Sequence, residues 1–170
     1  MRTRFCSLAL LIALPAGLCA AALLHGASPQ AGTAAKPAAT SAHFATTASD
    51  LHWEPMFLGL ERAVVSGDPS KPGPFVMRLR SAKAATIAAH WHPTDENVTV
   101  LKGTLKLGMG DKYDAKALHA LTAGAYSFMP ANTRHFGTFA PGTVIQIHGL
   151  GPFVLNFVNP ADDPRNAKTK

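Results

Sequence analysis

The run His90-Trp-His-Pro-Thr-Asp-Glu-Asn-Val-Thr-Val-Leu-Lys-Gly103 carries two histidines one residue apart, a glutamate four positions further on and a closing glycine. Side chains two apart on a β-strand share a face, so His90 and His92 aim both imidazoles to one side of a sheet. Glu96 and a later histidine would complete a shell of metal ligands. Asp95, beside Glu96, would point to the other face if the strand has already begun, and is read as a solvated loop residue. Trp91, between the two histidines, turns away from them. It is covered either by the N-terminal segment around Trp53 or by a second subunit of a homodimer.

On both sides of this run the punctuation is that of an all-β domain. From Leu51 onward, short apolar or alternating runs are separated by Gly, Pro, Asn and Asp clusters, with no sustained 3.6-residue period. Strands are expected over Arg62–Ser66, Phe75–Arg80, Thr86–Trp91, Asn97–Lys102, Thr104–Met109, Ala125–Met129, Arg134–Phe139, Val144–His148 and Val154–Asn159. Three prolines and two glycines make Gly67–Pro74 a loop, and Gly110–Asp114 reads as a hairpin connection. Short strands in a single set suit a small barrel or jelly roll.

The spacing His90-x-His92-x3-Glu96-x6-Gly103, followed after 20 residues by Gly124-x5-Pro130-x4-His135, resembles the two motifs of the cupins. The resemblance covers roughly Phe75 to Val158. It implies a double-stranded β-helix, a jelly-roll barrel, whose lumen holds one divalent metal on His90, His92, Glu96 and His135. Three positions depart from the pattern. Ala84 stands for a leading glycine, Asn132 for a glycine of the second motif and Phe139 for a frequent asparagine. Asn132 is a mild change, because asparagine tolerates the left-handed turn that glycine usually supplies. Three imidazoles and a carboxylate form a borderline donor set that suits Mn, Fe, Ni, Cu or Zn and leaves coordination positions open.

Outside the motifs, Val144-Ile-Gln-Ile-His148 alternates, setting Gln146 and His148 on one face and Ile145 and Ile147 on the other. With the polar face inward, His148 is a candidate proton carrier near the metal, or a satisfied barrel histidine. Tyr126, Phe139 and Met77 are further candidates to line the pocket. His52 and His119 read as surface or loop residues, and His43 falls in a spacer.

The chain opens with Arg2 and Arg4, an apolar run from Leu8 to Leu14 and small residues around Ala16–Ala22, the layout of a signal peptide over residues 1–27. The apolar run is short and soon interrupted by Pro15 and Gly17, which favours cleavage over anchoring. Both cysteines, Cys6 and Cys19, lie in this leader, so the mature chain has neither disulfide nor thiolate ligand. Leu18 is a poor residue to precede a lipidated Cys19. Residues 28–50 are rich in Ala, Ser, Thr and Pro and read as a flexible spacer, 51–164 as one domain and 165–170 as a disordered tail.

Without Arg2 and Arg4, 14 basic residues face 10 acidic ones, a scattered excess with no dense basic run for nucleic acid. The expectation is a periplasmic or secreted protein, off the membrane after cleavage, whose partner is a small molecule. It is either a metal-dependent enzyme of dioxygenase, decarboxylase or isomerase type or a non-catalytic binding or sensing module.

Overall fold

Eleven strands account for almost all the regular structure of the computed structural model, which describes residues 43–166. The leader expected over 1–27, most of the expected spacer and residues 167–170 lie outside the described residues. The strands are β1 (Glu54–Pro55), β2 (Leu60–Ser66), β3 (Gly73–Ser81), β4 (Ala85–Trp91), β5 (Glu96–Lys102), β6 (Thr104–Met109), β7 (His119–Thr122), β8 (Tyr126–Met129), β9 (His135–Phe139), β10 (Val144–Gly151) and β11 (Asn156–Phe157). They form a six-stranded sheet in the order β1-β2-β3-β10-β5-β8 and a five-stranded sheet in the order β11-β4-β9-β6-β7, with every pairing antiparallel. This is the jelly roll expected of the sequence. No described helix is long and apolar enough to cross a membrane.

Alternation decides which residues meet between the sheets. Phe75, Met77 and Leu79 of β3, Val98 and Val100 of β5, and Ile145 and Ile147 of β10 are buried and belong to one apolar cluster. The outer face of the same sheet is polar. There the Arg80 guanidinium donates to the Glu61 carboxylate at 2.7 Å and lies 4.3 Å over the Trp53 ring. Trp53 therefore packs on the six-stranded sheet, whereas Trp91 ends β4 of the other, half-buried beside Asn156 of β11.

Two turns show why particular residues stand where they do. Gly103, between β5 and β6, has φ +76°, and a Cβ there would come within 2.8 Å of the Thr143 Cα. Only glycine fits both the conformation and the space. Thr143 in turn ties the start of β6, its hydroxyl donating to the Thr104 carbonyl at 2.9 Å and accepting from the Thr104 N–H at 3.1 Å. In the second motif Asn132 has φ 64°, the left-handed conformation expected of an asparagine in a glycine's place.

Some boundaries shift. Gly73 and Pro74, expected in a loop, already pair with Gly151 and Leu150 of β10, because proline is tolerated at a strand's first residues. β7, where His119 was expected to be loop or surface, is an exposed edge strand that pairs only with β6 among the described residues. Arg165, assigned to the tail, is held in a 3-10 turn, donating to the Asp163 carboxylate at 2.7 Å and to the Leu155 carbonyl at 3.0 Å.

Candidate metal centre

His90 is brought into the barrel by a defect in β4. Ile87 pairs with Gly137 and His90 with His135, so three steps on β4 oppose two on β9. This bulge at Ala88–Ala89 shifts the parity of the strand and puts Ile87 and His90 on the same lumenal side. The bulged segment also supplies the Ala88 carbonyl, which lies 2.8 Å from His90 Nδ1. His92 follows just past β4, its Nδ1 2.9 Å from the Val154 carbonyl and its ring stacked 4.1 Å from that of Phe153. His135 opens β9, with Nδ1 3.0 Å from the Thr133 carbonyl.

A carbonyl oxygen only accepts, so each Nδ1 must carry the ring proton, and each neutral ring turns an Nε2 lone pair to its other side. Ring nitrogens of all three histidines lie within 4.8 Å of one another, and all three side chains are buried. Glu96, the first residue of β5, sets Oε2 at 3.2 Å from His135 Nε2 and 3.5 Å from His92 Nε2. Among the described residues three buried side-chain polar atoms lack a hydrogen-bond partner, and two of them are His92 Nε2 and Glu96 Oε2. With His135 neutral these are converging acceptors with no donor between them, which are costly to bury; either a proton taken up by His135 and shared with Glu96 or a cation in their midst removes that cost. The donor set therefore fits a metal ion.

The electrostatics agree. Burial, with the neighbouring His135 and His92, pushes His90 down to about 3, so it stays a neutral ligand. Burial likewise lowers His92, against the pull of Glu96. Burial also opposes charge on His135, but the Glu96 hydrogen bond and charge outweigh it and raise His135. Burial of Glu96 favours its neutral form, yet His135, His92 and His90 together hold its carboxyl below the ordinary carboxylate range.

Two hydrogen bonds lock the motif loops together. The Asn132 N–H donates to the His92 carbonyl at 2.7 Å, and the Ala131 N–H to Asp95 Oδ1 at 2.8 Å. Asp95, exposed as expected, thus fastens the loop before Glu96 to the turn before His135. Sequence reading missed this, although an acidic residue facing a Pro-x-Asn turn was its visible sign.

The remaining pocket candidates divide. Phe139 and Met77 line the cavity. Gln146 and His148 do not: Ile145 and Ile147 take the inner face of β10, and the polar pair lies outside, with Gln146 Oε1 accepting from Arg78 Nε at 3.2 Å. Tyr126 is also outside, exposed on β8, its hydroxyl donating to Asn97 Oδ1 at 2.6 Å. The interior is apolar, so the alternation of β10 resolves with isoleucines inward. His148 is accordingly no neighbour of the metal cluster.

Residues 41–154 match the family described as the ChrR cupin-like domain. The chain belongs to the ChrR cupin-like family. No protein of curated function matches it. Among solved structures, this ChrR cupin-like chain is similar to an RmlC-like cupin from Shewanella frigidimarina, with 20% identity, TM-score 0.53, and 65% of this chain and 91% of that one covered. It is similar to the polyketide cyclase RemF from Streptomyces resistomycificus, with 14% identity, TM-score 0.60, and coverage of 72% and 90%. An acetylacetone dioxygenase from Acinetobacter johnsonii gives 16% identity, TM-score 0.55, and coverage of 76% and 86%. At such identities these likenesses speak for the fold of the ChrR cupin-like chain and leave its chemistry to its own residues.

Proposed function

We propose that this protein holds one divalent transition metal, of the Mn, Fe, Ni, Cu or Zn group, on His90, His92, His135 and Glu96 and presents it to a small molecule in the barrel. The observation that carries the reading is the pair of buried, unpartnered atoms, His92 Nε2 and Glu96 Oε2, in a cluster whose three Nδ1 atoms are all committed to backbone carbonyls. A bound ion would supply Lewis acidity and open coordination positions. The chain's own part is to fix the three rings in one tautomer, to keep Glu96 ionised and to shield the cluster from bulk water. Metal-dependent turnover is the first reading, with the dioxygenase, decarboxylase and isomerase chemistries of cupins as its candidates.

A second reading, a binding or sensing module, is favoured by one observation. Among the described residues, the ionisable side chains that line the cavity beyond the four proposed ligands, Glu54, Arg62, Asp68 and Arg165, are all engaged in ion pairs, so none stands free to carry a proton. Elemental analysis of natively purified protein tests the metal, with one equivalent expected and loss of it in His90→Ala. A His90→Ala protein that keeps its metal overturns the assignment. Oxygen uptake or substrate consumption by the loaded protein then separates turnover from binding in which the ligand is recovered unchanged.

The N-terminal layout supports export to the periplasm or exterior. Mass analysis of the mature chain should find its start between Ala21 and Ser28, and an intact Met1 in the exported protein would refute that.

A further inference from the structure

The barrel interior says what kind of molecule it admits. The metal cluster borders a cavity of about 570 Å³ that runs on between the two sheets. On β9 the inward positions are His135, then Gly137, then Phe139, so the strand carries the cavity about 13 Å from the metal cluster to an aromatic floor. Gly137 carries no side chain, and Leu107 packs over it: a Cβ there would lie 3.0 Å from Leu107 Cδ2 and 3.0 Å from the Lys106 carbonyl. Leu107 pairs with it on β6, and Met77, Val98 and Ile147 face it from the other sheet, all four apolar.

Charged side chains do line part of the cavity, Glu54, Arg62, Asp68 and Arg165, but they are paired. Arg62 Nη2 lies 3.0 Å from Glu54 Oε2, and Arg165 Nη2 lies 2.7 Å from Asp163 Oδ2. A ligand that sent a carboxylate, phosphate or ammonium into the lumen would lose its hydration and meet nothing in exchange. A hydrocarbon tail would gain the full transfer free energy.

We propose that the ligand of this site is a neutral, predominantly apolar small molecule with an oxygen-donor head, the head at the metal cluster and the hydrocarbon body among Met77, Val98, Leu107 and Ile147 toward Phe139. The proposal rests on the metal reading for its head and on the cavity alone for its body, and the two can fail separately.

Metal-loaded and metal-free protein would be titrated calorimetrically with straight-chain alkyl hydroxamates from acetohydroxamate to octanohydroxamate, and with 1-alkanols of the same lengths. The loaded protein should bind acetohydroxamate and gain about threefold to fourfold in affinity per added methylene over the first several carbons. Hydroxamates of equal length ending in a carboxylate or an ammonium should bind at least about tenfold more weakly. Val98→Thr, nearly isosteric but bearing a hydroxyl, should flatten the chain-length series. Acetohydroxamate binding with no gain along the series, or equal binding of charged tails, overturns the apolar ligand and leaves the metal reading intact. A chain-length gain for the alkanols in a protein that takes up no metal supports the apolar lumen and overturns the metal reading.

Discussion

Glu96 is almost fully buried and its Oε2 faces two imidazole nitrogens whose rings have already spent their protons on carbonyls. Without an ion, the arrangement is relieved by a proton shared with His135, which is why His135 is raised above the ordinary imidazole value of 6.5. Metal must displace that proton. Apparent metal affinity should therefore fall as pH drops through the raised His135 value, by up to about tenfold per pH unit for a single proton. His90, held down to about 3, adds nothing to this dependence. Glu96→Gln should weaken metal binding by at least about tenfold and flatten the pH dependence, since it removes what raises His135. Competition with a chromophoric chelator at several pH values reads both effects, and an unchanged pH slope in the variant would sink the account. Asp95 makes a gentler case. Asp95→Ala keeps all four proposed ligands but frees the Ala131 N–H, so affinity should fall by roughly tenfold with the stoichiometry intact.

At the scale of strands, the all-β class was legible in the sequence, and so was the convergence of His90, His92 and His135, because each depends on spacing and local chemistry. What it did not show depends on partners. Strict alternation leaves two solutions for Gln146 and His148, and only the apolar facing sheet selects the one with Ile145 and Ile147 inward. The β4 bulge is invisible in Thr-Ile-Ala-Ala-His because an extra residue is defined by the ladder it breaks, here against Gly137 and His135 of β9. β7 was missed because its residues are mostly exposed and carry no apolar period. Gly103, by contrast, was legible as a tight strand end, and the structure gives that reading a number. Gly103→Ala must force φ +76° on a side chain whose Cβ falls 2.8 Å from the Thr143 Cα, at a cost of roughly 1–3 kcal/mol. A lower urea midpoint at unchanged metal content per folded molecule is expected, because Gly103 follows the end of β5 opposite to Glu96. Stability equal to the parent would show that the β5–β6 turn adopts another shape.

Taken as a whole, the barrel has two fastenings of different kinds. At the Phe139 end Leu105, Val100 and Ile145 belong to the apolar core that floors the cavity, whereas the other end closes over His90, His92, His135 and Glu96. Apolar packing holds the first end with or without an ion, but at the second His90, His92, His135 and Glu96 converge, and without a cation only the proton shared by His135 and Glu96 relieves them. Metal binding is then linked to folding through RT ln(1 + [M]/Kd), about 2.7 kcal/mol when the free ion is at 100 times its Kd, or roughly 10 °C in Tm for a domain of this size. Chelation should lower Tm by that order without abolishing the cooperative transition, and re-addition of the native ion should restore it. A Tm indifferent to chelator and to every ion of the Mn, Fe, Ni, Cu and Zn group would mean that the cluster is held by its own proton, with His135 and Glu96 as a buried ion pair in place of a metal site.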